Sequence, residues 1–238
     1  MKLSLIEFFN ALFSLLTISI CFLVGLIIVL KYFQFKKREM LFIGLAWMGV
    51  YQPWWPSALA FVLALFNIEI GPILYIFIGN VFIPLSAFLW FMGFTELILS
   101  KRKKLIVGIY TAITLLMDIY IIYFLFNDYT VLGQFEGFAD IEYEPLMSIY
   151  LMFINISLAV SVSIMGRESL KSNEKDIKTR GKCLIAASIC YFLGGFLDVG
   201  VFPMIPPALM ISRSILISGS ILFYIGYLLP EFIKKRLQ

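Results

Sequence analysis

No histidine occurs anywhere in the chain. Its absence removes the commonest metal ligand and the commonest general base near neutral pH. Intramembrane zinc hydrolysis and haem held by histidine are excluded with it. Cysteine is scarce, with Cys21, Cys183 and Cys190 all inside apolar runs. An external disulfide is therefore not expected, and the thiols are read as free and packed. Charge is scarce as well, at 14% of residues against 61% hydrophobic, and the mean hydropathy is +0.96. Those proportions lie far outside the range of soluble domains.

What the chain has in abundance is long apolar runs. A helix crossing the hydrocarbon core needs roughly 20 mostly apolar residues. Seven runs meet that need, near 4–30, 40–64, 72–97, 104–126, 145–166, 182–200 and 207–229. The runs are continuous rather than alternating, which argues for helices over a β-barrel. The first run is too long for a signal-peptide core and has no convincing cleavage site, so it is read as a retained span. The expected fold is an all-α polytopic bundle of seven transmembrane helices forming one domain over 1–238.

The charges set an orientation. Apart from Lys2 and Arg213, every Lys and Arg falls in one of four segments: 31–38, 101–104, 167–182 and 234–236. The gaps 66–71, 127–144 and 199–206 hold none. Lys and Arg in short loops stay on the cytoplasmic side, so the N-terminus is expected outside and the C-terminus inside, in a cell membrane. The net charge of +4 follows from this topology and gives no case for nucleic-acid binding. Asp128, Glu136, Asp140, Glu142 and Glu144 lie in the outer 127–144 gap. A lid over a cationic ligand is one reading of that loop, and an ordinary solvated loop is the preferred one.

Ionisable groups inside spans stand out, because each costs at least about 2.5–3.5 kcal/mol to insert. They are Asp118, Asp198 and Arg213, with Glu7 and Glu96 nearer the interfaces. At a rise of about 1.5 Å per residue, Asp118 lies roughly 20 Å and Asp198 about 25 Å from the cytoplasmic side, and Arg213 roughly 9 Å from the outer side. All three fall in the outer half of a core about 30 Å thick. Helical spacing groups Thr111 and Thr114 with Asp118, and Tyr191 and Gly194 or Gly195 with Asp198. Arg213 is expected to pair with Asp118 or Asp198, as a structural ion pair or as part of a ligand site. Gln52, Asn80 and Asn155 add uncharged polar groups at middle to outer depth.

Run two carries Tyr51-Gln52-Pro53-Trp54-Trp55-Pro56. Two prolines remove amide donors and predict a kink. Breaks of this kind line cavities, which makes Trp54 and Trp55 candidate pocket walls. Trp47 and Trp90 are read as packing or interfacial residues. The sequon Asn155-Ile156-Ser157 lies within a run and is a false match. The candidate ligand-binding set is Arg213, Asp118, Asp198, Gln52, Trp54, Trp55, Asn80 and Asn155.

Lys is absent from the last run, so a retinal Schiff base cannot form on it, and Arg213 offers no substitute. No nucleophile and base stand at credible spacing, so an enzyme is not expected, nor are cofactors or metals. Spans one to three and five to seven share an orientation, which allows a 3+1+3 parallel repeat. The pairing of Pro72 with Pro207 and of Glu96 with Glu231 hints at one.

The order of spans, Trp47 in span two, and Pro84 followed by an aromatic-rich stretch to Phe94 resemble the seven-helix N-terminal sensor module of archaeal and bacterial histidine kinases. That resemblance covers most of the chain and implies an outward-facing sensor. The sequence ends nine residues after Leu229 with no kinase, so output is expected through a separate cytoplasmic partner. The charged 167–182 segment is a candidate surface for it, though a solvated connection is the plainer reading. The chain also resembles small transporters of 3+1+3 spans, but their Pro-Gln signature is absent and Gln52-Pro53 reverses it. A receptor- or sensor-like protein with a pocket in the outer half is the leading expectation. A small-solute transporter and a scaffold subunit are the alternatives.

Overall fold

The computed structural model describes residues 5–136, 140–198 and 206–237. Its helices are α1 (Leu5–Phe35), α2 (Arg38–Gly49), α3 (Trp55–Ala64), α4 (Pro72–Asn80), α5 (Ile83–Leu97), α6 (Lys103–Asn127), α7 (Pro145–Leu170), α8 (Lys175–Asp198), α9 (Pro206–Leu228) and α10 (Glu231–Leu237). A two-stranded hairpin, β1 (Gly133–Glu136) and β2 (Asp140–Tyr143), joins α6 to α7. The chain is an all-α polytopic bundle apart from this hairpin.

Proline writes many of the helix starts. Pro56, Pro72, Pro84 and Pro145 stand at the first or second helical position of α3, α4, α5 and α7. There the missing N–H has no partner to lose and the fixed φ suits the helix.

Among the described residues, six helical segments are long and apolar enough to cross a membrane, with Pro72–Leu97 counted as one across the turn at 81–82. The remaining run of the expected seven is divided. Pro53 and Pro56 cannot donate to carbonyls one turn back, and the run breaks into α2, a 3-10 turn at Gln52–Trp54, and α3. The carbonyl of Gln52 accepts from the amide of Trp55.

The helices pack largely in chain order. α1 lies on α2, α3 and α9; α2 on α5; α7 on α8; α8 on α9. Two of these contacts close on glycine pairs. A Cβ on Gly44 would stand 2.8 Å from the carbonyl oxygen of Gly25, and one on Gly181 would stand 2.7 Å from that of Gly166. Small residues of this kind let helix backbones approach within lipid. α6 packs on α4 and α5 from outside and turns Leu116, Ile119 and Phe126 outward.

The interior is aromatic. Trp47 and Trp90 are buried packing residues, and Trp47 stacks on Phe223 at 3.7 Å between ring centroids. The three cysteines are free, as expected from their places in helices. Two loop readings are corrected. The 167–182 segment is mostly helix, because α7 continues to Leu170 and α8 begins at Lys175, with only a tight turn between them. The described residues of the 127–144 loop pack inward, with Leu132 and Ile141 buried and Phe135 edge-on to Tyr75 at 5.1 Å. Most of the 199–206 gap lies outside the described residues.

Candidate functional site

The break in run two and the start of α5 face one another. Where helical backbone opens at Pro53 and restarts around Pro84, the side chains leave a cavity of about 60 Å³. Val50, Trp54 and Ser57 line it from the first break, and Ile83, Ser86 and Ala87 from α5. α7 contributes Asn155, α8 contributes Tyr191 and Asp198, and α9 contributes Arg213. The hairpin closes one end with Asp140, Ile141 and Tyr143.

Arg213 is 1% exposed. Its Nη1 donates to the backbone carbonyl of Asn10 at 2.9 Å and to the Asn10 side-chain oxygen. Its Nη2 lies 3.8 Å from Asp140 Oδ2, and its Nε lies 4.0 Å from Asp198 Oδ1. Asp198 accepts from the indole N–H of Trp54 through Oδ2 and from Ser212 Oγ at 3.3 Å through Oδ1. One guanidinium from α9 is thus held among carboxylates from α8 and the hairpin, with Asn10 of α1 completing its surroundings. An unpaired arginine so deep in a bundle would be strongly destabilising, which is why every neighbour supplies an oxygen.

Burial pushes the Asp140 carboxyl up to about 6, with Arg213 opposing the rise and Asp198 adding to it. Burial likewise raises Tyr143, whose hydroxyl accepts from Asn80 Nδ2 at 3.0 Å. Tyr75 and Ser57 share a 2.6 Å hydrogen bond at the cavity wall.

The expected pairing of Arg213 with Asp198 is present, and the pairing with Asp118 is not. Asp118 sits on α6, outside α5, with Oδ1 buried and without a hydrogen-bond partner; Tyr150 is the nearby titratable group. Trp54 joins the site through Asp198, but Trp55 faces α1 and packs on Phe22 at 5.2 Å. Gln52 does not line the cavity; its Nε2 donates to the carbonyl of Ile78 at 2.7 Å and ties the break to α4. Asn80 also lies behind the wall, joining Ile76 and Tyr143. Asn155 does line it, donating to the carbonyl of Tyr191 at 3.3 Å. Glu96, read as interfacial, pairs with Lys103 at 2.6 Å away from the cavity.

Two residues of the site escaped sequence reading. Asp140 was assigned to a solvated loop, although Asp140-Ile141-Glu142-Tyr143 alternates polar and apolar as a half-buried strand does. Asn10 is a lone amide in the apolar first run, and nothing in the local pattern links it to Arg213.

A partly enclosed cavity of this size, bounded by three charges and several rings, can hold water or a small polar solute and exchange protons with it. Its meaning rests on that chemistry alone, because the chain matches no protein-family model, no curated protein and no solved structure.

Proposed function

We propose that the chain is a seven-span receptor- or sensor-like membrane protein whose ligand occupies the cavity beneath the hairpin. In this reading α2 and α3 together form one crossing, since residues 38–64 follow a path of roughly 35–40 Å, enough for a 30 Å core. The N-terminus and the hairpin face outward, and the basic ends of the helices face the cytoplasm. Signals pass to a separate partner that docks on the basic inner segments, among them the ends of α7 and α8.

The observation that carries the reading is a charged cavity capped at one end by the β1–β2 hairpin rather than by a helix of the bundle. A cover of that kind admits a ligand from one side without moving the helices. A transporter is the second reading. It draws on the matching glycine contacts of α1 with α2 and of α7 with α8, which are what a 3+1+3 repeat would give.

Reconstitution separates the two. A sensor shows saturable stabilisation by a small solute and no accumulation of that solute in sealed vesicles. A transporter accumulates it, and Arg213→Gln abolishes the accumulation. A scaffold does neither and co-purifies with a fixed partner.

A further inference from the structure

Hydrogen-bonding capacity around the cavity is unbalanced. Asn155 is 5% exposed and spends an amide N–H on Tyr191, leaving Oδ1 buried without a donor. Asp140 Oδ2 is likewise buried without a donor, since 3.8 Å from Arg213 is beyond hydrogen-bond range. Two carboxylates face one guanidinium, whose Nη1 is already committed to Asn10. With all three groups ionised, the site holds one surplus negative charge. An anion would add to that surplus and would have to share Arg213 with two carboxylates. The rings of Trp54, Tyr75, Tyr143 and Tyr191 at the walls favour a cation instead.

We propose that the cavity binds a small organic cation, a primary ammonium whose N–H groups reach Asp140 Oδ2 and Asn155 Oδ1. At roughly 10–15 Å³ for each water-sized unit, the space admits about four to six non-hydrogen atoms. A hard divalent ion is poorly served, because calcium takes about six to eight oxygens. No group of three or more metal-ligating side chains is gathered among the described residues. The proposal rests on the sensor reading for the existence of a ligand site and goes beyond it in naming the ligand's chemistry.

The test uses the full chain in lipid nanodiscs, followed by thermal unfolding. Propylammonium chloride is titrated against sodium propionate and tetraethylammonium chloride at matched ionic strength. Saturable stabilisation by propylammonium alone is expected. Asp140→Asn should weaken it about tenfold or more, as loss of a charge-assisted hydrogen bond does. Glu142→Gln, on the same strand but exposed, should leave it unchanged. No saturable response to propylammonium, an equal or stronger response to propionate, or full affinity in Asp140→Asn would each overturn the proposal. The wild-type comparison decides the matter even where the variant fails to fold. Accumulation of propylammonium in vesicles would overturn the sensor reading and leave the cation site standing. Saturable binding of a different solute class at the cavity would do the reverse.

Discussion

Arg213 is the one basic side chain deep in the described bundle, and its neighbours define what its loss would do. Arg213→Leu leaves the carboxylates of Asp140 and Asp198 facing each other across apolar walls. We expect a loss of about 3–5 kcal/mol in stability, read from chemical denaturation in detergent, with partial recovery in the double variant Arg213→Leu/Asp198→Asn. Asp140 predicts a pH dependence. With the hairpin seated, this carboxyl ionises near 6, above its ordinary range, so protonation favours the seated form. It faces Arg213 from α9, Asp198 from α8, Tyr75 from α4 and Asn10 from α1, with Tyr143 on its own strand. Its contribution is fully present below about pH 4 and is lost as pH rises through about 6. Thermal stability of the wild type should fall between those values, and the Asp140→Asn variant should lack that component. Arg213 and Asp198 were legible as costly groups inside apolar runs, whereas Asp140 was not, and depth along a helix says nothing of azimuth. Asp118 and Arg213 share a depth, yet α6 stands outside α5, so they do not meet.

Among the elements, the helices were readable because apolar length and proline position are local properties. Breaks at Pro53 and Pro56 were expected from the missing donors, and they are where the cavity forms. The hairpin was overlooked because five acids and no base suggested solvent, while the alternation around Ile141 carried the opposite signal. Close contacts between helices make a separate prediction. Gly181→Val would drive its side chain into the α7 backbone, where a Cβ alone already meets the Gly166 carbonyl. We expect a loss of about 1–3 kcal/mol, measured by unfolding in detergent. Gly108 in α6 has nothing within 4 Å of an added Cβ. Gly108→Ala should therefore stabilise by roughly 0.5–1 kcal/mol, the helix-propensity difference.

At the scale of the whole molecule, a column of rings links the cavity with the basic end of the bundle. Tyr51 contacts Trp54 and Tyr191, Trp47 contacts Tyr51 and stacks on Phe223, and Phe223 lies along Tyr227. At the far end Arg180 donates from Nε to the Gly226 carbonyl at 3.1 Å and from Nη2 to that of Tyr227. Trp47→Ala should cost about 3–5 kcal/mol, because the ring is 2% exposed and central to that column; denaturation in detergent measures it. The central claim is an outward hairpin packed down on a charged cavity, and thiol labelling in intact cells tests it most directly. In a background without the three native cysteines, Ile141→Cys and Glu142→Cys are exposed to a membrane-impermeant maleimide. Ile141 is 3% exposed and Glu142 points to solvent. The account predicts that Glu142→Cys labels without permeabilisation and that Ile141→Cys labels at least about tenfold more slowly, a difference of about 1.4 kcal/mol in opening. Equal rates at the two positions, or labelling only after permeabilisation, would contradict it.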